Sequence, residues 1–233
     1  MKGVPLFTTL AGYVARFCLR ALARVHVEVQ GELPKDGPLI VVANHLSNAD
    51  PPLVAGWLTP LLGRQLHILA KESLFFFPMG PVIRRLGASP VRSGGSDIEA
   101  YRVARDILDR GEILCIFPEG TRSPTGVLGE AKPGVAMLAT RSGVPVLPVG
   151  VSGTDILLGR GSRFPKIGTR VTVRVGQPFM VTLDPSRPRR EAMREASDEI
   201  MRAIAALTDE RHRGRYSTEP SSGGAEKPTP ATV

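Results

Sequence analysis

The chain has 233 residues, 42% of them hydrophobic, which is long for one minimal domain and short for two, so one α/β domain with embellishments is expected. The formal net charge of +8 comes mostly from arginine and favours phosphate-rich partners, although a coding bias toward arginine has the same signature. Only two cysteines are present, which argues against a disulfide framework or a zinc site and leaves reduced thiols and a cytosolic setting as the default.

In chain order, residues 5–24 form an amphipathic helical pattern. Leu6, Leu10, Val14, Phe17 and Ala21 share one side, while Arg16, Arg20 and Arg24 line a flank at spacing four. Such a helix either lies in a membrane interface with its arginines reaching headgroups or covers the protein's own core. Arg16 and Arg20 argue against a cleaved signal peptide, and no apolar run reaches the ~18 residues of a spanning helix. Strand-like apolar runs follow at residues 25–29, 39–43, 66–70, 113–117, 144–151 and 171–175. Helical patterns lie between them. One starts at Asp50 as N-cap with Pro51 behind it, and one runs from Ser96 to a stop at Gly111. Another ends on Gly143, and a last one carries Met193, Ala196, Ile200, Ile204 and Leu207 on one face. This alternation predicts a single α/β domain with a mixed, mostly parallel sheet flanked by helices. The boundaries expected are a membrane-associating helix over 1–24, the α/β domain over 25–211 and a disordered tail over 212–233, where Ser, Gly, Pro and Thr dominate. Between Asp155 and Asp184 the only charges are Arg160, Arg163, Lys166, Arg170 and Arg174. That one-sign run is either a solvated face or a face that meets a membrane.

Two strand ends carry chemistry. "PLIVVANH" delivers His45 to a loop, and Asp50 follows at the next helix. A carboxylate there can curl back to fix the imidazole tautomer and raise its basicity. Taken alone, His-x4-Asp reads more simply as a loop histidine followed by a helix cap. The second strand end, "IFPEGTRS", gathers Glu119, Gly120, Thr121, Arg122 and Ser123. Glycine lets backbone amides approach an anion and arginine offers a planar fork to phosphate oxygens, whereas a plain turn with Glu119 paired to Arg122 is the simpler alternative. No G-x-S-x-G, P-loop or G-x-G-x-x-G occurs. A base beside an anion grip points to a phosphate-bearing substrate whose own hydroxyl is deprotonated, without a covalent enzyme intermediate.

These blocks, in this order, resemble the lysophosphatidic acid acyltransferases (1-acyl-sn-glycerol-3-phosphate O-acyltransferases) within the wider glycerolipid acyltransferase group. The resemblance covers roughly residues 20–180. "NHLSNAD" is similar to the family's N-H-x4-D, "GASPVR" to its second block, "FPEGTRS" to its third and "VPVLPVGV" to its fourth. The second block departs from the family pattern in having Ala-Ser-Pro where bulky apolar residues are commoner. The resemblance implies His45 as general base and Asp50 as its orienting partner. It places Glu119, Gly120, Thr121, Arg122, Arg92 and Lys71 around the acceptor's phosphate and Pro148 at the acyl-donor site. It implies an acyl-CoA or acyl-ACP co-substrate, no other cofactor and no metal. It also implies a lipid acceptor and peripheral or monotopic attachment to an anionic membrane surface on the cytoplasmic face. Phe75, Phe76 and Phe77 are a second candidate dipping element. Glycerol-3-phosphate, another lysophospholipid or a glycolipid are alternative acceptors. A phosphohydrolase built on His45 and a non-catalytic membrane binder are the readings from other classes. No nucleic-acid module is present. Acyl-chain length, the choice of thioester and the oligomeric state are not encoded in these motifs.

Overall fold

The structure, a computed structural model, describes residues 4–92, 97–217 and 231–232. In chain order the elements are α1 (Leu6–Leu22), β1 (Ala23–Val29), β2 (Leu39–Ala43), α2 (Asp50–Leu62), β3 (Leu66–Lys71), α3 (Met79–Arg85), β4 (Ala88–Val91) and α4 (Asp97–Asp109). There follow β5 (Ile113–Ile116), α5 (Pro133–Ser142), β6 (Val146–Ser152), α6 (Thr154–Leu158), β7 (Thr169–Val175), α7 (Arg189–Leu207), α8 (Glu210–Arg213) and β8 (Ala231–Thr232). The strands form one sheet in the order β4-β3-β5-β2-β6-β7-β1-β8. Every pairing is parallel except β6–β7 and β1–β8. The expected single α/β domain with a mixed, mostly parallel sheet is therefore what forms.

β2 lies inside the sheet and is buried along its whole length. Strand side chains alternate between faces, so an unbroken apolar run implies cover on both sides. Val41 and Ala43 join a cluster with Leu53, Trp57 and Leu58 of α2. Ile40 and Val42 join the opposite cluster with residues of α4, α5 and α7. β2, β3, β4, β5 and β6 all end at one rim of the sheet. Because β7 runs against β6, and β1 with β7, the first residues of β1 and β7 lie at that same rim.

α1 packs one side against the fold and leaves the other exposed. Its small-residue side packs on α2, where Gly12 and Ala15 approach Gly56. The Thr8 hydroxyl donates to the Arg85 carbonyl at 3.2 Å, tying α1 to the end of α3. The apolar stripe faces outward: Leu6, Leu10, Val14 and Phe17 are 85, 63, 55 and 75% exposed.

Several elements escaped the pattern reading. α3, α6 and α8 are short. β4 is an edge strand whose "ASPV" breaks the apolar alternation, with Pro90 tolerated in such a position. The start expected at Ser96 lies outside the described residues. The tail boundary is corrected. Residues 212–217 belong to the fold, because His212 and Tyr216 are buried. The His212 carbonyl accepts from Leu128 N–H at 2.8 Å, and the Tyr216 hydroxyl donates to Asp198 at 3.2 Å. Burial pushes the Tyr216 phenol up to about 12. Most of the remaining tail lies outside the described residues, and Ala231–Thr232 pairs with Glu28 and Val29.

Candidate active site

The rim where β2 ends is organised by hydrogen bonds that local spacing makes available. His45 leaves the strand, and the chain turns through Ser47 into α2. Asp50 Oδ2 accepts the His45 Nδ1 proton at 2.9 Å and the amides of Leu46 and Ser47, both at 2.6 Å. Asp50 is fully buried, and its Oδ1 has no partner among the described residues. The expected N-cap is therefore corrected. Asp50 is the first helical residue, and its carboxylate turns back onto the loop to hold the histidine. With Nδ1 donating to Asp50, Nε2 carries the lone pair, which is the tautomer of a general base. The His45 side chain retains 17% exposure and stacks on Phe117 with ring centroids 4.4 Å apart.

Two further residues, with no role expected from the motifs, fix this corner. The Asn44 side chain donates to the Val151 carbonyl and accepts from the Val151 amide, each at 2.8 Å, so it extends the β2–β6 pairing by one step. The Ser47 hydroxyl donates to the Leu158 carbonyl at 2.6 Å. Asn44 was visible as the residue before His45, but its partner is 107 positions away and no local signal gives it.

The loop after β5 docks on the same corner. Ser123 N–H donates to the His45 carbonyl at 2.8 Å. Glu119 was expected at a phosphate, but it serves internally. Its Oε1 accepts from His45 N–H and its Oε2 from Gly129 N–H, both at 3.1 Å. Glu119 is buried, which pushes its carboxyl above the usual range, while the two amide bonds pull the other way. A carboxylate held inward by two backbone amides braces the loop.

Gly120 occupies the left-handed region at φ +67°, which completes the turn closed by its amide on the Phe117 carbonyl at 2.9 Å. A Cβ there would also lie 2.6 Å from Lys132 Cε. Lys132 is thus laid across the glycine, positioned by its own amide on the Pro118 carbonyl at 2.9 Å. Sequence reasoning missed it because it stands beyond the motif, ahead of α5. Thr121 is exposed and Arg122 half-buried. Among the described residues, Arg122, Lys132 and Lys71 have no ion-pair partner.

Lys71 ends β3 and Arg92 follows β4, so both reach the same rim. Arg92 lies 3.8 Å from Glu72 in an exposed pair. Strands are ~4.8 Å apart. The β5 loop is thus one spacing from His45, Lys71 about two and Arg92 about three. Pro148 is not brought to the site. It is buried in β6, opposite Val42, four residues before the strand ends. Its Cγ packs where a Cβ on Gly176 would lie, at 2.9 Å. Its place is the core below the rim.

The corner thus places an oriented histidine and unpaired cations at one rim of strand ends, where open α/β sheets form sites. A family model described as Acyltransferase matches residues 24–152, more than half of the chain. The chain is 29% identical over 143 residues to the chloroplastic 1-acyl-sn-glycerol-3-phosphate acyltransferase LPAT1 of Arabidopsis thaliana, covering 60% of this chain and 39% of that relative's length. It is 29% identical over 213 residues to the human 1-acyl-sn-glycerol-3-phosphate acyltransferase alpha, covering 88% of this chain and 74% of the relative. The crystal structure of the 1-acyl-sn-glycerophosphate (LPA) acyltransferase PlsC from Thermotoga maritima superposes with a TM-score of 0.65 at 30% identity, over 86% of this chain and 78% of that one. The histidine corner and the loop after β5 sit inside the matched segment, and the chain belongs to the Acyltransferase family.

Proposed function

We propose that the chain transfers a fatty acyl group from an acyl-CoA or acyl-ACP thioester to the free hydroxyl of 1-acyl-glycerol-3-phosphate, forming phosphatidic acid. The observation that carries this reading is the His45 Nδ1–Asp50 bond, which leaves Nε2 free at the rim where the neighbouring β5 loop carries Arg122 and Lys132. Nε2 takes the proton of the acceptor hydroxyl as its oxygen attacks the thioester carbonyl carbon. The C–S bond then breaks, and the thiolate leaves with the proton returned from Nε2. The Asp50 carboxylate stabilises the imidazolium formed between these steps. General-base help of this kind contributes ~10²–10⁴-fold in rate, and much of the remainder must come from positioning. Arg122 and Lys132 hold the phosphate closest to the base, and Lys71 and Arg92 extend the positive field outward. The reaction so written needs no metal or cofactor.

A bilayer-resident acceptor suits the outward face of α1. It also suits the turn after β3, where Leu74, Phe76, Phe77 and Met79 are 50, 60, 87 and 45% exposed. Large exposed apolar patches mark interaction surfaces. Among the described residues, no helix is long and apolar enough to cross a membrane. Interfacial attachment through α1 and this turn, on the cytoplasmic face, is the arrangement proposed.

The test is thiol release by the purified chain in detergent micelles with palmitoyl- and oleoyl-CoA, with acyl-ACP as a second donor. Release that requires 1-acyl-glycerol-3-phosphate and vanishes in His45→Ala is expected. Glycerol-3-phosphate and other lysolipids run as parallel acceptors, and preference for one of them reassigns the substrate. Release undiminished in His45→Ala overturns the mechanism.

A further inference from the structure

The segment between α6 and β7 is not used by the chemistry above, yet it is fastened to the catalytic corner at one end and to α1 at the other. Ser47, in the loop that carries His45, donates its hydroxyl to the Leu158 carbonyl at 2.6 Å. Lys166 N–H donates to the Leu157 carbonyl and Gly168 N–H to the Leu22 carbonyl, each at 2.8 Å. The segment therefore sits at the catalytic rim, on the β7–β1 side, where α1 ends. Its centre exposes two large apolar side chains, Phe164 at 83% and Ile167 at 75%.

Cations surround them. Arg160, Arg163, Lys166 and Arg170 are all exposed. Arg24, also exposed, is registered opposite Arg170 across the β1–β7 pair. Like charges facing each other across strands are unfavourable unless an anion lies between them. Among the described residues, none of these five has an ion-pair partner. Arg174, the last basic residue of the run, differs. It lies 3.1 Å from Glu28 and 3.0 Å from Asp209 and is neutralised within the fold. The uncompensated charge is thus confined to the rim end.

We propose that residues 159–170, with Arg24, form a third membrane-contact element that recognises anionic lipid headgroups and seats the catalytic rim on the bilayer. An aromatic and an aliphatic tip ringed by cations matches the boundary between headgroups and acyl chains. A purely acidic protein surface would leave Phe164 and Ile167 without a partner. A nucleic acid would leave Ile167 without a base to stack on.

The proposal takes its purpose from the lipid acceptor proposed above, but its test reads binding, not turnover. The full chain is floated with phosphatidylcholine vesicles and with vesicles containing added phosphatidylglycerol. Two variants are compared with wild type after their thermal unfolding is shown to be unchanged. One carries Arg160→Ser, Arg163→Ser, Lys166→Ser and Arg170→Ser together. The other carries Phe164→Ser and Ile167→Ser. The charge variant is expected to lose affinity for anionic vesicles by roughly 600-fold, since each of its four surface cations contributes roughly 5-fold. Its weaker binding to phosphatidylcholine, through α1, stays as it was. The apolar variant weakens on both vesicles. Turnover in neutral micelles is unchanged in both, which separates this element from the acyltransferase reading. An anionic preference that survives in the charge variant overturns the proposal. So does intact vesicle binding combined with lost turnover on an acyl carrier protein donor, which would assign the face to an acidic protein.

Discussion

The two sides of the crevice are built on opposite physical terms. At the end of β2, one buried carboxylate oxygen holds three donors, and the loop carrying His45 is fixed by Asn44, Ser47, Glu119 and Ser123. At the ends of β5, β3 and β4, the cations are long, exposed or half-buried, and mostly without internal partners. The base proposed there must meet one proton in one geometry, which rigidity favours. The phosphate proposed for the other side presents several equivalent oxygens, so flexible cations could find it without being preset and would contribute to binding.

The sharpest way to break this contrast is within the rigid side. His45→Ala should lower kcat by ~10²–10⁴-fold while costing only about 1 kcal/mol of stability from its lost stacking on Phe117. Asp50→Ala should cost both activity and fold, because the buried amides of Leu46 and Ser47 lose their acceptor at ~1–3 kcal/mol each. Steady-state kinetics and thermal unfolding on both variants check this. If His45→Ala unfolds as readily as Asp50→Ala, the histidine is structural and the corner is not a base site.

On the loose side, the loss should appear in KM. Charged hydrogen bonds are worth ~1.5–3 kcal/mol, so Arg122→Ala and Lys132→Ala should each raise KM for the phosphorylated acceptor ~10–100-fold, with kcat and melting temperature little changed. Arg92→Ala should do less, since an exposed pair such as Arg92–Glu72 contributes ~0–1 kcal/mol and lies furthest from His45. An equal loss at Arg92 would move the phosphate outward by two strands.

Legibility follows the same division. His45 and Asp50 were readable because five positions and one turn bring them together. β2 was readable because an apolar run buried on both faces leaves no ambiguity about its state. The bracing bonds of Glu119 are not legible in the sequence because its partners, the amides of His45 and Gly129, are set by the docking of two strand ends and not by neighbouring letters. Lys132 was missed for the same reason, since only the hydrogen bond to the Pro118 carbonyl carries it back over Gly120. Tyr216 and His212 lie in a stretch whose composition is polar, and their burial comes from contacts with α7 and the loop at Gly126–Leu128.

Glu119 offers a test of bracing against binding. Burial raises its folded pKa, so the stability tied to its neutral form is complete below the ordinary carboxylate range and is lost as pH rises through the raised value. Wild type should therefore lose stability relative to Glu119→Gln across that interval. The variant should also show a constant deficit of ~1–3 kcal/mol, because an amide leaves one backbone N–H without its acceptor. Thermal unfolding across the interval reads both. Parallel curves would mean the carboxylate is solvated and free to meet a ligand.

The smallest effect on activity is expected at Pro148, and it separates a motif residue from a site residue. Its ring fills space between β2, Gly176 and the chain at Leu207, below the rim. Pro148→Ala removes two buried ring carbons and should cost ~1–2 kcal/mol at ~0.8 kcal/mol per methylene, seen as a lower melting temperature. KM for the acyl thioester should not change. The backbone of β6 keeps its pairing with β2 on the other edge, so the strand end at Ser152 and the Asn44–Val151 bridge stay in place. A raised donor KM at unchanged stability would instead require the thioester to reach into the sheet beside Val42, which the burial of β2 and β6 on both faces opposes.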